Sequence, residues 1–100
     1  MPAYLIVIRE EPIQDEAAFA EYQSRTRKLG GNPTLTPRVI YGAVSGLEGA
    51  APDGVIMLEF PSVEEAQAWY DSPGYQEALP FRLKSSSYRA FIVEGLPAAP

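Results

Sequence analysis

Residues 59–75 read Glu-Phe-Pro-Ser-Val-Glu-Glu-Ala-Gln-Ala-Trp-Tyr-Asp-Ser-Pro-Gly-Tyr, and within them a strand runs out, a helix starts and a second helix is set up behind it. Ser62 and Glu65 have the S-x-x-E spacing of a capping box, in which each side chain satisfies a backbone N–H that the first helical turn leaves without a partner, so a helix is expected over 63–71. Ser72-Pro73 repeats the device. Serine is a good N-cap, proline suits the first helical position, and the residue before a proline is pushed out of the α region. Pro80 is expected to end this second helix early, because a proline inside a helix removes one bond and clashes with the preceding turn. Ala66, Trp69 and Tyr70 recur at i, i+3, i+4, with Tyr75 just beyond, and make an aromatic cluster that some other layer must cover.

Outward from this stretch the chain alternates between strand and helix patterns. Val55–Phe60 reads as a strand with Ile56, Leu58 and Phe60 on one face and Val55, Met57 and Glu59 on the other. The turn-rich residues 45–54 join it to an expected strand over 38–44, interrupted at Gly42, where a bulge or a close backbone approach is one explanation and a weak strand the other. Residues 32–37 read as a loop. Asp15 is placed to cap a helix over 16–29, acidic in its first turn and basic in its last, with Phe19, Tyr22, Thr26 and Leu29 forming a buried stripe and Gly30-Gly31 ending it. Residues 3–9 form a strand apolar on both sides, Tyr4, Ile6 and Ile8 against Leu5 and Val7. Residues 86–94 alternate as the last strand, Tyr88, Ala90 and Ile92 against Arg89, Phe91 and Val93.

The order strand, helix, strand, strand, helix pair, strand is the split βαβ pattern, which gives an α+β, ferredoxin-like βαββαβ sandwich with a four-stranded antiparallel sheet. One domain is expected over 1–95, with a flexible tail at 96–100. Helices on one side leave the other sheet face open, and because the first and last strands are apolar there, a second copy of the chain is the expected cover.

The elements Leu58-Glu59-Phe60-Pro61-Ser62, Ala68-Trp69-Tyr70-Asp71-Ser72-Pro73-Gly74-Tyr75-Gln76 and Ala90-Phe91-Ile92-Val93-Glu94-Gly95 resemble those of the DUF1330 family, within the dimeric α/β-barrel superfamily. The resemblance runs from Tyr4 to Gly95. It implies a ferredoxin-like protomer and a homodimer whose two sheets face each other as an α/β barrel. It implies no particular activity, since the family is named for an unknown function. The chain departs from the family pattern in a longer stretch between Gly31 and Leu47 and at Pro80-Phe81.

Composition narrows the chemistry. With 8 basic and 13 acidic residues the net charge is -5, so the long-range field repels phosphate backbones and anionic membranes, and neither nucleic acid nor a membrane is an expected partner. The chain contains neither cysteine nor histidine, which removes disulfides, thiolate nucleophiles, the commonest metal ligand and the most available neutral-pH base. No metal and no bound cofactor is called for. The sequence carries no signal-peptide pattern and no apolar run of membrane-spanning length, so the expected address is the cytoplasm.

Two functions from different classes fit these residues. In the first, a small-molecule site binds or converts a hydrophobic carboxylate or ketone by cofactor-independent proton transfer. Trp69, Tyr75 and Arg82 would then bind the substrate, Arg82 by bidentate hydrogen bonds, while Glu59 and Tyr22 are the candidates for moving the proton. Arg25 and Arg89 are further cations of the same type. In the second, the domain is a non-catalytic dimeric binding or interaction module, the aromatics are core, and Glu59 is a strand-end carboxylate paired with an arginine.

Overall fold

In the computed structural model, which describes residues 1–29 and 34–97, β1 (Ala3–Arg9) runs through the middle of a four-stranded sheet. It pairs antiparallel with β3 (Gly54–Phe60) on one side and β4 (Tyr88–Glu94) on the other, and β2 (Thr36–Ile40) lies outside β3, giving the order β2-β3-β1-β4. Helices α1 (Glu16–Lys28), α2 (Val63–Tyr70) and α3 (Pro73–Ser85) complete the α+β, ferredoxin-like arrangement. Ala3, Leu5 and Val7 of β1, together with Leu58 and Phe60 of β3, are buried beneath the helices with Ala66. Tyr4, Ile6, Ile8, Val55 and Met57 take the alternate positions on the uncovered face, in register with Arg89, Phe91 and Val93. No helix among the described residues is long and apolar enough to cross a membrane.

The caps work unequally. Asp15 accepts from the Ala18 N–H at 2.9 Å and Ser62 accepts from the Glu65 N–H at 3.2 Å, each satisfying one orphan donor. Ser72 precedes α3 but does not cap it. Its hydroxyl instead donates to the Trp69 carbonyl at 2.7 Å, tying the end of α2 to the start of α3.

Three expectations about element bounds need correction. β2 spans Thr36–Ile40, not 38–44, and its irregularity falls between Pro37 and Val39, not at Gly42. Pro37 is tolerated because β2 is an edge strand, and the chain leaves the sheet at Tyr41, whose φ of 52° lies in the left-handed region. α3 continues through Pro80 to Ser85. Tyr75, Ala78, Arg82 and Ser85 form its buried stripe while Pro80 and Gln76 sit on the wet face, so the carbonyl that loses its partner meets solvent. That packing outweighs a proline cost of about 3 kcal/mol. The last strand begins at Tyr88, because Ser86 is spent as a tether, its hydroxyl donating to the carbonyls of Glu11 and Pro12 at 2.9 Å each. The expected helix stop at Gly30-Gly31 lies outside the described residues.

Candidate functional site

A cavity of about 480 Å³ lies between the covered sheet face and the helices. Its sheet side is aliphatic, from Leu5, Val7, Ile56 and Leu58, and its helix side is aromatic, from Tyr22 of α1, Trp69 of α2 and Tyr75 of α3. Trp69 and Tyr75 are in ring contact with centroids 4.5 Å apart, and Phe60 backs Trp69 at 5.8 Å. The Tyr22 and Tyr75 hydroxyls share a hydrogen bond of 3.0 Å. Burial pushes both phenols up, against the opposing pull of the Arg82 charge, so they hold their protons at neutral pH and serve as donors, not bases.

Tyr41 closes one end of the cavity. Its ring lies under the Arg9 guanidinium at 4.8 Å and edge-on to Phe19 at 6.0 Å. Gly54 lies against the ring beside Arg9, where an added Cβ would stand 2.8 Å from Tyr41 Cδ1 and 3.4 Å from Arg9 Cζ, so only glycine admits the ring in this position. Arg9 is itself held by Asp53 at 2.9 Å. A non-glycine residue at positive φ costs about 1–3 kcal/mol, which the surrounding clamp must over-determine. Tyr41 Oη is buried and has no hydrogen-bond partner among the described residues. Burial, followed by the neighbouring Tyr88 hydroxyl, pushes its pKa up to about 12, with Arg9 and Arg82 pulling the other way.

Arg82 lies behind this tyrosine wall, not in it. Only 2% of it is exposed, its guanidinium faces the Tyr88 ring at 5.1 Å, and Nε and Nη1 have no hydrogen-bond partner among the described residues. No carboxylate of the described residues lies within ion-pair distance of it, although the chain has 13 acids. A buried cation with no counter-charge is costly, and the Tyr88 face recovers only part of that cost. None of the described residues lining the cavity is acidic either, and Arg27 at its helix side is basic.

The structure thus brings Tyr22, Trp69, Tyr75 and Arg82 together and leaves Glu59 apart. Strand alternation puts Glu59 on the uncovered sheet face, opposite Leu58 and Phe60, where it accepts from Arg38 Nε at 2.9 Å. The sheet therefore stands between Glu59 and Tyr22 within one protomer, and Glu59 is on the face where a second copy of the chain was expected. Arg82 sits inside α3, since the helix does not stop at Pro80, and it is not a rim contact. Arg25 pairs with Glu21 and stacks on Phe81, and Arg89 pairs with Glu10, both at the surface. Sequence reasoning missed Tyr41 and Tyr88. The alternation of β4 does place Tyr88 with Ile92, but nothing in the order of residues indicates that Tyr41 turns inward.

A ferredoxin-like α+β protomer with a tyrosine-walled cavity between sheet and helices is the class this arrangement defines. The chain belongs to the family described as "Domain of unknown function (DUF1330)", which it matches over residues 2–96. No functionally curated protein matches it. Among solved structures it is similar to a dimeric ferredoxin-like protein of unknown function from Jannaschia sp. CCS1, with a TM-score of 0.71 and 17% identity over 95% of this chain and 100% of that one. It is also similar to an ethyl tert-butyl ether D (EthD) family protein from Bacillus halodurans C-125, with a TM-score of 0.63 and 20% identity over 96% and 100% of the two chains. A dimeric ferredoxin-like protein of unknown function from Thermobifida fusca YX gives a TM-score of 0.63 and 18% identity over 93% and 90%. At these identities the likeness concerns the fold.

Proposed function

We propose that the cavity binds a small hydrophobic molecule through a carbonyl or carboxylate oxygen, and that the chain works as a homodimer paired through its uncovered sheet face. The observation that carries the first part is the composition of the walls. Among the described residues, aliphatic strand side chains and Trp69 offer an apolar slot, and the phenols Tyr22, Tyr41 and Tyr75 line it as well. Among the described residues no carboxylate base lines the cavity, which favours binding over base-dependent turnover.

The dimer is supported by the apolar character of the open face, where Phe91 and Val93 are each 43% exposed beside Ile6, Ile8 and Met57. Two of the similar structures are described as dimeric. A two-fold contact there would bury upwards of about 1,200 Å² in total. Sedimentation at micromolar concentration tests it, and a monomer would end this part of the reading.

The site is tested through Trp69, the one tryptophan of the chain, which stands in the cavity wall and reports occupancy by its fluorescence. Titration with 3-phenylpropanoate and with 4-phenylbutan-2-one should change that emission and raise the melting temperature. If neither probe does so at millimolar concentration, the reading fails.

A further inference from the structure

Resting on the small-molecule reading and deepening it, we infer that the cavity takes a single-chain carboxylate head-out, its alkyl tail in the slot and its carboxylate on Arg27 at the mouth. The polar side chains of the lining are not spread through it. Apart from the phenols and the Trp69 indole they are Gln23, Thr26 and Arg27, all on the last two turns of α1, and Leu35, Pro37 and Ile40 face them in or just before β2. This end is the open one. Ile40 is 57% exposed, Gln23 is exposed and Arg27 is half-buried, whereas Leu5, Val7, Leu58 and Tyr75 are buried. Arg27 lies about 7.5 Å further along the helix axis than Tyr22, whose hydroxyl meets Tyr75 in the inner wall.

Arg27 is also the uncommitted arginine of the chain. Arg9, Arg25, Arg38 and Arg89 each have a carboxylate within ion-pair distance and Arg82 faces the Tyr88 ring, but Arg27 has neither a carboxylate nor an aromatic face among the described residues. An arginine in such a half-buried place lays its stem along apolar wall and keeps its guanidinium at the water. The donors deeper in are closed to a ligand. The Tyr22 and Tyr75 hydroxyls bond to each other, Tyr41 Oη is buried, and Thr26 Oγ donates to the carbonyls of Tyr22 and Gln23 at 3.1 Å each. A carboxylate carried inside would lose its hydration without replacement, whereas at the mouth it keeps water and gains the Arg27 fork, with the Gln23 amide one turn away. The net charge of -5 and the partial negative charge at the end of α1 both oppose an anion here. Selectivity for the acid therefore rests on Arg27, and removing that side chain should abolish the preference and not merely blunt it.

The experiment varies charge, chain length and orientation separately. Octanoate and octanamide, below micellar concentration, are titrated by Trp69 fluorescence and calorimetry against wild type, Arg27→Gln and, as a control for surface charge, Lys28→Gln, since Lys28 is exposed and borders a different hollow. The acid should bind at least about tenfold more tightly than the amide. Arg27→Gln should erase that preference with amide affinity kept, and Lys28→Gln should leave it in place. Between hexanoate and octanoate affinity should rise about threefold to fourfold per methylene, as expected for a tail buried in the slot. At saturation, 8-bromooctanoate should quench Trp69 more than 2-bromooctanoate does, because the tail end lies against the inner wall. Equal binding of octanoate and octanamide, or a preference that survives Arg27→Gln, overturns the assignment to Arg27 while leaving the small-molecule reading intact. Stronger quenching by the 2-bromo acid refutes the head-out orientation. Binding of the phenyl probes without either eight-carbon chain refutes the single-chain ligand alone, and binding of none of these molecules ends both readings.

Discussion

Tyr22 on α1 and Tyr75 on α3 meet hydroxyl to hydroxyl at 3.0 Å, joining positions 53 residues apart across the helical layer. The rings also meet edge to face with centroids 6.2 Å apart, so one pair provides both packing and a buried polar bond. Tyr22→Phe should therefore cost about 1–3 kcal/mol, because it strands the Tyr75 hydroxyl in a site away from water. The double variant Tyr22→Phe/Tyr75→Phe should cost less than the sum of the singles. Urea unfolding of the four proteins measures the coupling, and strict additivity would show that the hydroxyls do not depend on each other.

Raising the pH should destabilise the fold through its buried phenols. Tyr41 goes from an ordinary value of 10.0 to about 12 on folding, and Tyr22 and Tyr75 are shifted in the same direction. A raised value means the folded chain keeps protons that the unfolded chain releases above pH 10, so the contribution is whole below that pH and lost as pH climbs through the folded value. Stability against urea should fall between about pH 10 and 12, and phenolate absorbance should appear with unfolding. Tyr41→Phe should flatten the early part of that decline.

Two glycine-to-alanine changes should have opposite effects. A Cβ at Gly54 would stand 2.8 Å from the clamped Tyr41 ring, whereas at Gly74 it meets Leu29, chiefly Cδ2 at the far end of an exposed, rotatable side chain. Gly54→Ala is expected to cost about 1–3 kcal/mol and to weaken ligand binding by displacing Tyr41. Gly74→Ala, in the first turn of α3, should be neutral or stabilise by up to about 1 kcal/mol. Thermal denaturation of both variants checks the contrast.

Ser62→Ala separates scaffold from site. It removes the hydroxyl that accepts from Glu65 N–H and should cost about 1 kcal/mol while leaving probe affinity unchanged. A change in affinity larger than the change in stability explains would mean that α2 is positioned by this cap for binding and not merely for folding.

A charge on the open face should test assembly without touching the cavity. Phe91→Asp places a carboxylate among Ile6 and its apolar neighbours, where a dimer would have to bury it unpaired. The variant should sediment as a monomer with its helical circular dichroism retained. A dimer that survives it would have to be built on some other surface.

The order of residues was enough to determine the architecture, because that architecture depends on local and periodic signals. Ser62 with Glu65 marks a helix start, Leu5 and Val7 alternate with Tyr4 and Ile6 along a strand, and each pattern acts over a few residues. The aromatic set Tyr22, Trp69 and Tyr75 was legible for the same reason, as were the two faces of β3. What the tertiary structure alone decided is where long-range packing overrides a local rule. Pro80 breaks helices in isolation, yet α3 runs on because Tyr75, Ala78, Arg82 and Ser85 are buried together on its other face, and that continuation is what carries Arg82 inward. Tyr41 reads as one more strand residue. It becomes a boundary of the cavity only because Gly54, Arg9 and Phe19, from three other elements or their ends, close around a left-handed backbone that no neighbouring residue predicts. Glu59 lies across the sheet from Tyr22 for a geometric reason that the alternation contained but could not locate, since the sheet separates the two only once the helices have chosen a side.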